Sequence, residues 1–415
     1  MPLQRARLTH WLFLALVLRS AFALYHAHVG WDLRFDPGYY LTLAQNLEQG
    51  VYSLFHPLDI PDTTRMPGYP FLVFLLGGSI PAVLVLQVLL STAKVLLVHR
   101  LGLITGLAPR TALLASALMA LEPVDIILTG SLLTETCFTT ALLAGIVLLV
   151  GHKDRRAGLA GAALCFGVAA WCRANGALLA IGAMVVMVVV CRWSLRKAVI
   201  MVAALLVTVA PWIIRNQLAT GRAVLSDSGP VAAAYFHLPE VLATAQAPAA
   251  ATYRQGLHDR ASRIDWEDRG QASAFFNGLR TDLRRAAISH PIAWCKVQLR
   301  DAAGIYLAPG RGHIVGVFGR SSLSAILQGF AILFSTLLVV ALFVWGVRAR
   351  HLPNPLLVIL LIASGIILTG GISTTDARFK APAMPLLLIG AAWAVEELRR
   401  LTAGWSAVRL PAAPR

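Results

Sequence analysis

Apolar residues run through this chain in long blocks, with polar groups confined to the gaps between them. A helix needs about 20 residues to cross the hydrocarbon of a bilayer, and blocks near that length lie at about 9–28, 80–101, 110–128, 131–150, 157–172, 175–191, 197–214, 322–346, 354–372 and 381–398. The pattern predicts an all-α polytopic membrane protein of about ten transmembrane helices, forming a single domain over 1–415. The run 68–78 is too brief to cross, and counting it as a crossing would reverse everything downstream, so it is read as partly interfacial. Two long segments interrupt the blocks, 29–79 and 215–321.

Composition supports this picture. Hydrophobic residues make up 57% of the chain and charged ones 13%, against about a quarter charged in a soluble domain. The net charge of +16 falls in short clusters between apolar blocks rather than along one soluble face. It therefore points to membrane orientation and not to nucleic acid. With the N-terminus inside, the inner connections carry Arg100 and Arg110, then Lys153, Arg155 and Arg156, then Arg192, Arg196 and Lys197, then Arg348 and Arg350, then Arg399 and Arg400. Each of these turns is basic, as the positive-inside rule requires, and both termini are expected in the cytoplasm. Arg5 and Arg7 precede the first block as in a signal peptide, but no small-residue cleavage site follows, and the block reads as a retained anchor. Cys137, Cys165, Cys172 and Cys191 fall in or at the ends of apolar blocks without paired or metal-like spacing.

This topology sends 29–79 and 215–321 outside, with short outer turns near 122–130, 173–175 and 373–380. These outer stretches hold Asp36, Arg65, Glu122, Asp125, Arg173, Arg215, Asp376, Arg378 and Lys380. Acids beside bases on one membrane surface suit a phosphate-bearing substrate and a proton acceptor. Pro37 to Gln49 reads as an interfacial helix with Asp36 as N-cap, Pro37 at its first position and Gly50 past its end. Tyr40, Leu43 and Leu47 share one side of it. Capping and proton transfer are both open to Asp36, whose carboxylate is a weak base. Arg65 has two readings, substrate phosphate or snorkelling to lipid phosphate. Arg215 either ends its span or binds substrate. Glu135 lies about a turn below the surface, where it contacts substrate or pairs with a neighbouring Arg. Asp376 and Arg378 could form a structural ion pair. Within the spans, Lys94 is assigned to snorkelling and Arg19 is left open.

In the second outer segment, Ser226 to Pro230 is rich in turn formers and 243–251 reads as a loop. Ile292, Cys295, Leu299, Ala302 and Tyr306 recur at helical spacing and predict a juxtamembrane helix lying flat, with Trp294 near headgroup level. Such a helix could roof a cavity that admits a lipid sideways. His237, His258, His290 and His313 lack a metal-ligand interval, so no histidine metal site is expected.

Several motifs together resemble family 39 glycosyltransferases, of the GT-C group that includes protein O-mannosyltransferases and lipid A aminoarabinose transferases. They are Asp36 with Tyr39-Tyr40, Leu43 to Leu47 and Gly50; Arg65-Met66-Pro67-Gly68-Tyr69-Pro70; Leu133-Thr134-Glu135-Thr136; Pro211-Trp212-Ile213-Ile214-Arg215-Asn216; and Asp376-Ala377-Arg378-Phe379-Lys380-Ala381-Pro382. The resemblance implies a GT-C-like fold in a bacterial inner membrane, with a polyprenyl-phosphate sugar donor and inversion at the anomeric carbon. The acceptor would be a lipid, glycan or protein on the periplasmic side. It implies Asp36 as general base, Arg215, Arg378, Lys380, Arg65 and Arg173 as donor-phosphate ligands, and Tyr39, Tyr40 and Glu135 as substrate contacts. Pro37 stands where many members carry a second acid, which leaves a divalent cation open and no cofactor assigned. Two rivals remain. An O-antigen-ligase type of transferase would use a lipid diphosphate but would not explain the loop around Asp36, and a transporter or flippase would show paired halves or spans broken near mid-membrane.

A reporter fused near residue 260 is expected to be active on the outer side of the membrane; a cytoplasmic readout would overturn this topology.

Overall fold

The computed structural model describes residues 2–30, 33–58, 60–152, 154–370 and 376–408. Lys153 and the start of the 373–380 turn therefore lie outside the described residues. Every regular element among those described is helical. The first half comprises α1 (Pro2–Val29), α2 (Asp36–Leu47), α3 (Gly68–Leu75), α4 (Ile80–Ile104), α5 (Pro109–Leu121), α6 (Pro123–Thr129), α7 (Glu135–Gly151), α8 (Arg156–Cys172), α9 (Asn175–Cys191) and α10 (Leu195–Thr220). The long second segment folds into α11 (Ser228–Ala232), a π-helical turn at Ala233–His237, α12 (Leu238–Thr244), α13 (Tyr253–Ser262), α14 (Arg269–Ser289), α15 (Pro291–Leu307) and α16 (Arg311–Phe318). Three more helices close the chain, α17 (Ser322–Val347), α18 (Asn354–Gly370) and α19 (Met384–Val408).

By length and composition α1, α4, α10 and α17 can each cross a membrane, α5 with α6 makes a fifth if the bent pair is one span, and α7, α8, α9 and α18 are shorter apolar helices. Large apolar side chains such as Phe343 and Val207, each 72% exposed, lie on their outer faces. That is the surface a lipid solvent calls for, because helices satisfy their own backbone there. The turns at one end of the bundle carry Arg100, Arg110, Arg155, Arg192 and Arg350, all exposed. Asp36, Glu135, Arg173 and Arg378 lie at the opposite end, reached by α2, α7, α8 and the segment before α19. As its length predicts, the run beginning at Gly68 makes only the 8-residue α3.

Between α5 and α6 the chain bends by 52°. Pro123 disfavours a helical residue before it, and Glu122 is extended, at φ −66° and ψ 113°. Its carboxylate caps α6 by accepting the Asp125 backbone N–H. The sequence places Glu122 and Asp125 in an open outer turn, but both are buried, at 3% exposure. Asp125 instead gathers the cations of two other spans. Arg19 Nη2 reaches its Oδ2 at 2.8 Å, and Ser91 donates to the same oxygen at 2.8 Å. Lys94 Nζ pairs with Oδ1. Lys94 is 1% exposed and does not snorkel; a carboxylate within reach keeps its ammonium in the interior. Arg19 further donates to the Met119 and Ala120 carbonyls, which the bend leaves without helical partners, at 3.1 and 3.0 Å.

The C-terminal half of α15 packs on α17 and α18, and the Tyr306 hydroxyl donates to the Leu338 carbonyl at 2.7 Å. The tip after α15 turns at Gly310, where φ is 77° and an added Cβ would meet Val124 at 2.6 Å. Helix α16 then climbs back, with Phe318 stacked on Tyr25 at 5.1 Å. Ala302 and Ile305 are buried by this packing, while Ile292, Cys295 and Leu299 stay exposed in the N-terminal half. Trp294 packs against His237 at 4.7 Å, inside the outer segment. All five cysteines are free.

Asp125→Asn leaves Arg19 and Lys94 without a counter-charge in apolar surroundings. The expected loss is about 3–5 kcal/mol, measured as a lower melting temperature of the purified protein in detergent; an unchanged melt would remove this cluster from the stability argument.

Candidate functional site

Helix α2 starts one residue earlier than the motif predicts. Phe35, at φ 59°, takes the cap position and Asp36 is the first helical residue. A side chain at Gly38 would strike the Leu33 carbonyl, so the approach to this helix accepts no Cβ there. Freed from capping, the Asp36 carboxylate lies 3.5 Å from Arg378 Nη1 and 3.9 Å from Arg65 Nη2. It is 35% exposed.

Arg65 is held by a residue that the sequence reading overlooked. Asp62 is buried, and its Oδ1 accepts the backbone N–H groups of Thr64 at 2.7 Å and Arg65 at 2.9 Å, while Oδ2 meets Arg65 Nη1 at 3.2 Å. The signal was present: an Asp two residues before a Thr is a common Asx-turn former. The Arg65 guanidinium also covers the Tyr39 ring at 4.1 Å. Arg378 comes from the other end of the chain, on a short turn at Ala377–Phe379 that Asp376 caps through the Arg378 N–H at 2.9 Å. The Asp376 carboxylate pairs with His313 at 2.6 Å rather than with the Arg378 guanidinium. Burial raises the Asp376 pKa, but His313 and the Arg378 backbone outweigh it and hold the carboxyl below its ordinary value. The Nε atoms of Arg65 and Arg378 are both buried without a hydrogen-bond partner.

A second ion pair stands beside the first. Glu135 is the first residue of α7 and meets Arg173, at the end of α8, at 3.0 Å. Tyr40 lies among all of these groups. Its phenol pKa is pushed up by burial and by Asp36 and Glu135, with Arg173 and Arg65 opposing. Its ring stands edge-on to Tyr69 at 5.1 Å. Tyr69 donates to Gln87 at 2.7 Å, and Gln87 in turn ties down the Thr129 and Ser131 carbonyls at 2.8 and 2.9 Å. Asp36, Tyr39, Tyr40, Arg65, Glu135, Arg173 and Arg378 thus converge.

Two expected site residues do not join them. Arg215 Nη1 donates to the Asp62 carbonyl at 2.8 Å and Nη2 to the Tyr52 carbonyl at 2.9 Å, with the Trp212 ring 4.9 Å away. Its guanidinium is spent on the backbone of the first outer segment. Lys380 Nζ donates to the Tyr306 and Ala308 carbonyls at 3.1 and 2.7 Å, capping α15, and is 4% exposed. Burial pushes its pKa down to about 8, with Glu122 opposing. Sequence spacing marks a cation near the surface but not which oxygen it meets.

Below the two ion pairs lies a cleft of about 700 Å³ whose lining includes Tyr69, Cys137, Cys172, Trp171 and Pro211. Leu164, Val168 and Val207 border it and are 63%, 49% and 72% exposed, so it opens on the lipid-facing surface. Pro211 lies inside α10, and Trp171 Nε1 donates to the Thr208 carbonyl at 2.8 Å beside it. Gly167 keeps α8 and α10 close: a Cβ there would meet the Thr208 side chain at 2.8 Å.

No family model matches this sequence, and no curated protein does. Solved structures do match. The apo oligosaccharyltransferase of Archaeoglobus fulgidus aligns over 99% of this chain and 53% of its own, at 13% identity and a TM-score of 0.54. The oligosaccharyltransferase AglB of Archaeoglobus fulgidus, in complex with an inhibitory peptide and a dolichol-phosphate, aligns over 97% and 52%, at 12% identity and a TM-score of 0.47. ArnT from Cupriavidus metallidurans in the apo state aligns over 91% and 76%, at 17% identity and a TM-score of 0.40. The first match is a likeness of fold, and the chain spans about half the length of that oligosaccharyltransferase. The other two superpose too loosely to add to it.

Arg215→Ala should free the 52–62 backbone, raising the rate of limited proteolysis within the first outer segment several-fold over wild type. Cleavage at the wild-type rate would contradict the anchoring role of Arg215.

Proposed function

We propose that this protein is a membrane glycosyltransferase that moves a sugar from a polyprenyl monophosphate to an acceptor hydroxyl or phosphate, with inversion, on the periplasmic face of a bacterial inner membrane. The observation that carries this reading is the Asp36 carboxylate, free of capping duty and set between the Arg65 and Arg378 guanidinium groups at 3.9 and 3.5 Å. The fold shared with an oligosaccharyltransferase and the motifs resembling family 39 support it.

In this mechanism the acceptor oxygen attacks the anomeric carbon opposite the leaving phosphate. The new C–O bond forms as the bond from carbon to phosphate oxygen breaks, and the acceptor proton passes to Asp36. A polyprenyl phosphate leaves as a stable anion and needs no acid to protonate it. It needs positive charge already in place, because pre-set dipoles and charges cost no reorganisation during the reaction. Arg378 supplies that charge. Burial lowers its pKa, but Glu135, Asp36 and Asp376 together raise it, and it stays fully protonated. Arg65 is shared with Asp62, and Arg173 with Glu135, so these two shape the pocket and contribute less free charge. Tyr39, Tyr40 and Glu135 would border the sugar, and the apolar cleft would take the polyprenyl chain.

A divalent cation fits this set poorly. Asp36 has no acidic neighbour, since Pro37 follows it, and two guanidinium groups already face its carboxylate.

Asp36→Asn should lower sugar transfer about a hundred- to ten-thousandfold with normal expression and folding, scored by mass analysis of envelope lipids and glycans in a deletion strain carrying the variant. Near-normal product would remove Asp36 from the mechanism. Arg378→Ala should lower kcat and kcat/KM for the donor, because the charge that meets the leaving phosphate is lost; unchanged donor kinetics would remove Arg378 from the phosphate role.

A further inference from the structure

Arg378 reaches Asp36 from a segment with little structure of its own. Residues 376–380 form one short turn ahead of α19, and their shape depends on what holds them. Both holds come from α15 and α16. Lys380 ties the far end of the turn to the Tyr306 and Ala308 carbonyls. At the near end, His313 Nε2 lies 2.6 Å from Asp376 Oδ1, and that same oxygen accepts the Arg378 backbone N–H at 2.9 Å. An ionised carboxylate oxygen can take both donors. His313 is itself fixed, because its neighbour Ile314 is fully buried against Phe22, Ile127 and Ala331.

We propose that His313 is a positioning residue, which acts through Asp376 to hold the Arg378 backbone and so aims its guanidinium at the donor phosphate. This rests on the reading of Arg378 as the phosphate ligand. The contact crosses 63 residues of chain. It makes the geometry of the site depend on α16, an element that touches neither Asp36 nor Arg65 in any described contact. Lys380 secures the turn as a whole, whereas the Asp376 carboxylate acts on the one peptide unit that carries the guanidinium.

The test uses the purified full-length protein in detergent, with undecaprenyl monophosphate as the probe and binding read by tryptophan fluorescence. His313→Phe keeps the ring and removes the donor, and should weaken binding about tenfold, as loss of a hydrogen bond to a charged group does. His313→Gln returns an N–H donor at similar reach and should bind as wild type. His313→Phe combined with Arg378→Ala should bind no worse than Arg378→Ala alone, because positioning without its object has no effect. Wild-type binding in His313→Phe, or effects that add fully in the double variant, would overturn the proposal. Hydrogen exchange across 376–383 provides an arm independent of any substrate. It should quicken in His313→Phe and recover in His313→Gln, and unchanged exchange would also overturn it. If exchange responds in this way but wild type fails to bind the monophosphate, the clamp stands and the donor reading falls.

Discussion

A carboxylate buried among apolar helices must find counter-charge or lose its own, and the architecture is arranged around meeting that need for Asp125. Its partners come from α1 and α4, and Glu122 holds its backbone N–H. These contacts bring α1 and α4 against the bend between α5 and α6. Removing Asp125 would leave Arg19 and Lys94 as uncompensated charge, so the cluster hinges on that one carboxylate. Its position matters for what lies above it. The bend aims α6 at the turn over 129–131, which Gln87 grips, and beyond that turn α7 begins with Glu135 already pointed at Arg173. Asp125 lies apart from the Asp36 cluster, yet the Glu135–Arg173 pair inherits its placement.

The cations at the site end divide by the kind of oxygen they meet. Arg215 and Lys380 meet backbone carbonyls and hold loops and helix ends. Arg65 and Arg173 meet carboxylates that balance them. Arg378 has a weaker claim on it, one half-exposed carboxylate at 3.5 Å. The outer segments are tied together on the same principle. Asp227 takes Arg222 at 2.7 Å, Arg280 and the Thr63 hydroxyl, fastening the second segment to the first next to Asp62. The loop that presents Arg65 is thereby held from below by Arg215 and from the side by Asp227.

Much of this was legible in the chain. The apolar blocks mark the helices because 3.6-residue turns and bilayer thickness leave few alternatives, and α2, α3 and α15 all fall where the pattern puts them. The residues that converge on Asp36 are also mostly named by motif. What the pattern could not supply is direction. Lys94 and Lys380 look like surface cations from their spacing, and both are buried because an oxygen three-dimensionally close but distant in sequence pays their desolvation. Asp36 looks like a cap because Pro37 follows it, and it is not one because Phe35 adopts a left-handed φ. The burial of the C-terminal half of α15 was hidden for a related reason. Its apolar positions suit a membrane surface and a protein interior equally, and only the carbonyl partners at its tip decide between them.

The cleft beneath the two ion pairs has a consequence for selectivity. A hydrocarbon chain drawn into it leaves one apolar medium for another, so no water is released from the chain and little affinity is gained along its length. Chains of different length or saturation would partition into it almost equally. Discrimination must then be concentrated at the polar end, where the chain stops and Tyr40, Arg173 and Arg378 begin. Such a protein would sort its lipids by headgroup and remain indifferent to the tail, and its occupancy would follow the mole fraction of that headgroup in the leaflet rather than any concentration in water.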